Sequence, residues 1–291
     1  MRLSDGAVEA VLLDAGGVLL LPDPAQLRRV LAPLGQTPDD EACRRAHYAS
    51  MREVDRIGGP DWPVVDRVMA RVVGVEDDRL EDAVSLVEEV YLRLPWVPVP
   101  DAADTLLELQ AAGYPLAVVS NATGTMEQQL ADHRICSSDG GHAARVAVVV
   151  DSDVVGVEKP DPAIFGIALD ALGLPPDDCL YVGDTVHFDV NGARAAGLRP
   201  VHLDPYGLCP DTDHAHVGSL AELARALIPP AAPSRQSDAA GDRHFDPGRN
   251  YGSEEWCCAS RRCADRGRER TSGTFRRVRD IVAPSSAGHC V

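Results

Sequence analysis

The chain has 291 residues, 45% hydrophobic and 25% charged, the proportions of a soluble globular protein, and no stretch approaches the ~20 apolar residues of a membrane span. The formal net charge of −17 is unevenly spread: residues 230–291 hold 11 Arg and 8 Asp+Glu, which leaves 17 basic and 37 acidic groups in residues 1–229. So acidic a body disfavours nucleic acid and anionic membranes as partners, because binding to either rests on clustered Lys and Arg. A small anionic ligand in a locally positive pocket remains open.

The start, MRLSDGAVEAVLLDAGG, lacks the basic and long apolar regions of a secretory signal, and a cytoplasmic location is expected. Residues 8–14, VEAVLLD, read as a buried strand ending in Asp14 and a glycine-rich turn. Helical periodicity then runs over 24–34, 38–56, 61–74 and 78–93, with turns such as IGGPDWP between segments. PWVPVP at 95–100 reads as a stiff linker. Helices are expected over 101–113, 123–133, 161–172 and 188–196. Strands are expected over 115–120, 145–150, 179–183 and 199–203.

Short apolar strands alternating with helices predict an α/β fold, a Rossmann-like parallel sheet with helices on both faces. The helical block after the first strand would be an inserted α-helical cap. The expected division is residues 1–20 and 98–229 for the core, 21–97 for the cap and 230–291 for a disordered tail without apolar periodicity. Ligands of such sheets bind beyond the carboxyl ends of the strands, where Asp14, Ser120 and Asp184 all fall. The cysteines show no CxxC pair, and the first four (43, 136, 179 and 209) read as reduced thiols. The tail residues Cys257, Cys258, Cys263, His289 and Cys290 fit no zinc spacing.

GVEKPDPAIF, residues 156–165, contains Lys159, the single lysine among 28 Lys and Arg residues. An ammonium is a compact point charge, whereas a guanidinium is a broad planar fork. A lone lysine in an otherwise arginine-only chain therefore points to a tight anionic site.

Asp14 with Gly17, Ser120-Asn121, Lys159-Pro160-Asp161, and Gly183-Asp184 with Asp189 form an ordered set. In this set the chain resembles the haloacid dehalogenase (HAD) superfamily over roughly residues 8–205, in the group whose cap follows the first strand. The resemblance implies a hydrolase of the phosphatase type, acting on small phosphorylated metabolites with Mg²⁺ as cofactor. Asp14 would be the nucleophile, forming an aspartyl-phosphate. Mg²⁺ would be held by Asp14, Asp184 and the backbone carbonyl of Gly16. Asp189 would reach the metal through water or orient the other groups. Ser120, Asn121 and the amides near 121–123 would bind the phosphoryl group, and Lys159 would touch both Asp14 and that group.

One letter departs from the pattern. HAD phosphatases usually carry a second Asp two residues after the nucleophile, and here that position is Gly16, so general acid–base help worth ~10²–10⁴-fold is lost. Slow turnover, or a preference for good leaving groups, is expected. The dehalogenase branch also lacks this Asp, having an aromatic there, but normally lacks the metal-binding GDTVHFD found here. A non-hydrolytic phosphate-binding or regulatory protein on the same scaffold is the alternative from another class.

Helix 38–56 places His47, Met51 and Asp55 on one face and Tyr48, Arg52 and Arg56 on the next. One stripe is expected in the core and the other in solvent. The functional alternative has Arg52 or Arg56 meeting the substrate's far end and Asp55 or His47 replacing the missing acid. His187 reads as solvent-facing. Neither the substrate nor the oligomeric state is legible.

Overall fold

Six strands form the central sheet of the computed structural model, which describes residues 8–90 and 95–228. The expected tail, 230–291, lies outside the described residues. In chain order the central strands are β1 (Ala10–Leu13), β4 (Leu116–Ser120), β7 (Val149–Asp151), β8 (Cys179–Gly183), β9 (Arg199–Leu203) and β10 (Ala215–Val217). They lie in the order β10-β9-β8-β1-β4-β7, and every pairing is parallel.

Side chains alternate across this sheet, as the pleat requires. Val11 and Leu13 of β1 and Leu180 and Val182 of β8 join a core with Leu106, Leu109, Leu130 and Leu223. Those partners come from α5 (Ala102–Ala111), α6 (Met126–Asp132) and α10 (Leu220–Leu227). Ala10 and Leu12, with Cys179 and Tyr181, face the opposite way onto Phe165 and Ala193, of α8 (Pro162–Leu172) and α9 (Asn191–Ala195). The expected α/β sheet with helices on both faces is therefore the observed fold.

Between β1 and α5 the chain forms a short antiparallel ribbon of β2 (Leu20–Pro22) and β3 (Trp96–Pro98). Four helices leave and return through it: α1 (Pro24–Leu31), α2 (Asp40–Ile57), α3 (Trp62–Val72) and α4 (Leu80–Val90). Aspartates start the first three, since the Asp23, Asp39 and Asp61 carboxylates accept from the amides of Ala25, Ala42 and Val64. Leu27, Leu31, Ala46, Met69 and Leu80 make the block's own core. A smaller cluster, Met51, Val54 and Val65, packs on Phe188, just beyond β8.

Several elements differ from the sequence expectation. PWVPVP contributes β3 to a ribbon, because Trp96 and Val97 find partners in Pro22 and Leu21. The run RVAVVV is divided between two partners: Arg145 belongs to β6 (Ala144–Arg145), paired with β5 (Cys136–Ser137), and only Val149–Asp151 joins the main sheet. Uniform hydrophobicity cannot mark that division. The expected helix 188–196 is a π-turn, Val186–Val190, followed by α9. That wider turn directs Asp189 inward. β10, α10 and the one-turn α7 (Ser152–Val155) were not expected. No helix among the described residues is long and apolar enough to cross a membrane.

Candidate active site

β8, β1 and β4 are neighbours, so Asp184, Asp14 and Ser120 end three adjacent strands at one edge. Asp14, Asp184 and Asp189 are all buried, and one carboxylate oxygen of each lies within 4.8 Å of the others. The Lys159 ammonium sits between two of them, 2.9 Å from Asp14 Oδ2 and 2.7 Å from Asp189 Oδ1, and it also donates to the Tyr181 hydroxyl at 3.0 Å. With 2% exposure it is as enclosed as the aliphatic core.

Asp189 is fully engaged by protein. Its Oδ1 takes the Lys159 bond, and its Oδ2 accepts from the Thr185 amide (3.0 Å) and hydroxyl (2.6 Å). Of the two roles left open for Asp189, this geometry favours orienting Lys159. Asn121 also works through Lys159: its Oδ1 accepts from the Lys159 amide at 2.7 Å and its Nδ2 donates to the Lys159 carbonyl at 3.0 Å. Ser120 is buried at the end of β4. The loop after it is held by Asp151, whose carboxylate accepts from the amides of Gly124 and Met126. The Ala122 amide already donates to Ser152 Oγ.

Burial pushes the Asp14 carboxyl up to about 7, with Lys159 opposing and the charges of Asp189 and Asp184 adding to the rise. Asp189 goes the other way: burial would raise it, but Lys159 and its hydrogen bonds hold it below the usual carboxylate range. Burial pulls Lys159 down, yet Asp14 and Asp189 together leave it above a free lysine. Three carboxylates face one ammonium, so the floor of the site is short of positive charge.

Backbone approach explains two glycines. Gly17 has φ +71°, and a Cβ there would lie 1.9 Å from Asp184 Oδ2. A Cβ on Gly183 would fall 2.2 Å from Asp189 Cγ. Gly16 is different, since a Cβ would meet only the Trp96 ring, at an ordinary 3.6 Å. The indole of β3 therefore stands beside the position where the second aspartate is missing.

The wall opposite the floor is α2. His47 is buried with Nε2 3.2 Å from Asp184 Oδ2, and Tyr48 donates to the Gly17 carbonyl at 2.6 Å. Asp55 Oδ1 accepts from the His187 amide at 2.7 Å. His187 is thus half-buried and its backbone anchors α2, where a solvent-facing residue was expected. Arg52 and Asp55 line a narrow cleft with Tyr48, Asp184 and His202, whereas Arg56 is exposed and paired with Glu53. Burial raises the Asp55 carboxyl to about 6, against the lowering by the His187 and Val186 amides.

Tyr181, Thr185 and Asp151 escaped the sequence reading. Asp151 carried a usable signal, an acid ending an apolar run as Asp14 and Asp184 do. Tyr181 and Thr185 carried none.

The chain belongs to the haloacid dehalogenase-like hydrolases, whose family model matches residues 8–197. Phosphoserine phosphatase of Thermus thermophilus is 33% identical over 172 residues, 57% of this chain and 66% of that protein. (S)-2-haloacid dehalogenase 4A of Burkholderia cepacia is also 33% identical, over 230 residues, 75% of this chain and 94% of that protein. Among solved structures, the magnesium-bound HAD-hydrolase YfnB of Bacillus subtilis has a TM-score of 0.50 at 16% identity, covering 76% of this chain and 99% of that one, a likeness of fold.

Proposed function

We propose that this hydrolase is a Mg²⁺-dependent phosphatase of small phosphorylated metabolites, with Asp14 as nucleophile. The observation that carries the reading is the cluster of Asp14, Asp184 and Asp189 around the single Lys159 ammonium. A dehalogenating site needs no such excess of carboxylate. The donor set suits the metal: hard, buried oxygens with net negative charge, among them a nucleophile that burial raises to about 7, with the charges of Asp189 and Asp184 adding to the rise. Asp14, Asp184 and the Gly16 carbonyl would hold Mg²⁺, which when bound supplies positive charge for the phosphoryl oxygens.

Asp14 attacks phosphorus, an oxygen–phosphorus bond forms, and the bond to the leaving group breaks with its electron pair departing on oxygen. Water then attacks the aspartyl-phosphate and returns the carboxylate. Lys159 neutralises Asp14 and the incoming phosphoryl group through both steps. Asp189, Tyr181 and Asn121 keep its ammonium in place, and Ser120 binds a phosphoryl oxygen. The α1–α4 block acts as the cap, with Arg52 meeting the substrate's non-reacting end. With glycine at position 16 the leaving group departs without a carboxylic acid there, so acyl phosphates should outperform sugar phosphates.

A second reading, 2-haloacid dehalogenase, is favoured by the Trp96 ring beside Gly16 and by the length of the match to the Burkholderia enzyme. One experiment separates the two. Phosphate release from acetyl phosphate and halide release from 2-chloropropionate are measured for wild type and Asp14→Asn, with Mg²⁺ and with EDTA. Metal-dependent phosphate release lost in Asp14→Asn supports the phosphatase. Halide release indifferent to EDTA would replace it with the dehalogenase, and no release of either kind would favour a non-hydrolytic phosphate binder.

A further inference from the structure

A second cluster lies on the other side of Asp184. His202 on β9, Cys209 in the following loop, and His214 and His216 at β10 each bring one ligand atom to within 4.8 Å of the others. Each histidine has one ring nitrogen committed to an acceptor outside the cluster. His202 Nε2 is 3.1 Å from the Asp184 carbonyl, His214 Nδ1 is 2.7 Å from Asp213 Oδ1, and His216 Nε2 is 3.0 Å from the Asp211 carbonyl. Carbonyls and carboxylates only accept, so each of these nitrogens carries the ring proton.

In the neutral rings the remaining nitrogens, His202 Nδ1, His214 Nε2 and His216 Nδ1, carry the lone pairs. Two of them face each other: His202 Nδ1 and His214 Nε2 are 3.3 Å apart, with Cys209 Sγ 3.9 Å from the latter. Two lone pairs at that distance repel unless a proton or a cation lies between them. Histidine ligands of metals are held in this way, the second nitrogen donating to a carboxylate or carbonyl.

We propose that His202, Cys209, His214 and His216 form a structural Zn²⁺ site distinct from the catalytic carboxylates. Three imidazoles and a thiolate are a soft, four-coordinate set suited to zinc and poorly suited to Mg²⁺. With Zn–N near 2.0–2.1 Å and Zn–S near 2.3 Å, tetrahedral edges are about 3.3 Å for N···N and about 3.6 Å for N···S. The His202–His214 separation matches the first, the His214–Cys209 separation needs a closure of a few tenths of an ångström to reach the second, and the remaining edges lie within 4.8 Å. Binding releases the Cys209 thiol proton to solvent. Asp204 Oδ2, 3.7 Å from His216 Nδ1, and Asp211 Oδ2, 3.7 Å from Cys209 Sγ, add negative charge that favours a cation.

The site would brace the crevice in two directions. Through His202 it fixes the backbone of Asp184. Through the loop 204–214 it presents Tyr206 to the helical block, where the hydroxyl donates to Glu41 Oε1 at 2.9 Å and Arg45 covers the ring at 4.7 Å.

The test uses the full chain without an affinity tag, with Mg²⁺ in excess. Zinc content is measured as purified, and Co²⁺ is titrated into metal-stripped protein. About one zinc per chain is expected, with the visible bands of tetrahedral Co²⁺ and a thiolate-to-cobalt charge-transfer band. Co²⁺ on the catalytic carboxylates would give weak six-coordinate bands and no thiolate band. Cys209→Ser removes the charge-transfer band, and a Cys257→Ser, Cys258→Ser, Cys263→Ser variant keeps it. Asp213→Asn, which leaves all four ligands in place, weakens zinc affinity about 10–100-fold. Persistence of the band in Cys209→Ser, its loss in the tail variant, or no zinc and no tetrahedral Co²⁺ in wild type would each overturn the site. The last result would leave a hydrogen-bonded trio with His214 protonated on both nitrogens.

Discussion

On the floor of the crevice Lys159 pairs with Asp14 and Asp189, Asp189 accepts from Thr185, and Asn121 holds the Lys159 backbone, while Asp184 meets His47 of the wall. On the wall, among the described residues, α2 buries His47 Nδ1 without a hydrogen bond, and Asp55 Oδ2 has only the Arg52 guanidinium, 3.9 Å away. A buried polar atom left unpaired costs about 1–3 kcal/mol, so the two surfaces do different jobs. On the proposed function, the floor would hold one fixed arrangement for the chemical step, and the wall would meet the varying part of the substrate. Four predictions probe this contrast.

The largest effect is expected at Lys159. Lys159→Met leaves Asp14 and Asp189 buried without their cation, and metal-dependent phosphate release should fall about 10²–10³-fold. Thermal or urea unfolding should show a loss of about 3–5 kcal/mol. Lys159→Arg should restore much of the stability and little of the rate, because a planar fork cannot occupy the point between the two carboxylates. Equal rescue of both would contradict the argument from the single lysine.

Gly16→Asp supplies the missing acid in space bounded by Trp96. Turnover on a sugar phosphate should rise up to about 10²-fold, with little change on acetyl phosphate, whose leaving group needs no proton. An equal gain on both substrates would point to a packing effect.

Asp55 is the wall's titrating group. Folded, it keeps its proton to about pH 6; unfolded, it loses it near the ordinary value of 3.8. Its ionised form therefore costs stability above pH 6, a cost that fades as pH falls through that range and is absent below the unfolded value. Asp55→Asn should be the more stable protein in mild alkali, by at most about 3 kcal/mol. The advantage should vanish in acid, and bound Mg²⁺ should reduce it. A constant difference across pH would mean that the carboxyl does not titrate in this way.

The smallest effect is at Arg52, whose replacement by Ala should raise KM about tenfold on a sugar phosphate. Acetyl phosphate kinetics should hardly change. A matching loss on both substrates would place Arg52 in support of the fold.

The floor was legible because its residues sit at the ends of apolar runs and in motifs whose order matters: Asp14, Lys159 and Asp184 lie close together, and Ser120 ends the neighbouring strand. The alternation of strands and helices gave the sheet for the same reason. The wall was half legible. Helical period placed His47 and Asp55 on one face, but the contact of His47 with Asp184, 137 residues away in sequence, has no local signal. The His202–His216 cluster was missed outright. Its ligands are spread over a strand, a loop and a three-residue strand, and only the parallel pairing of β9 with β10, His202 beside His216, brings them together.

The most direct test of the central claim is a single turnover with ³²P-labelled acetyl phosphate and Mg²⁺, quenched in acid and digested. The account predicts label on the peptide containing Asp14, absent with EDTA and absent in Asp14→Asn. Phosphate release by Asp14→Asn at the wild-type rate, or wild-type turnover with label on a different residue, would contradict it.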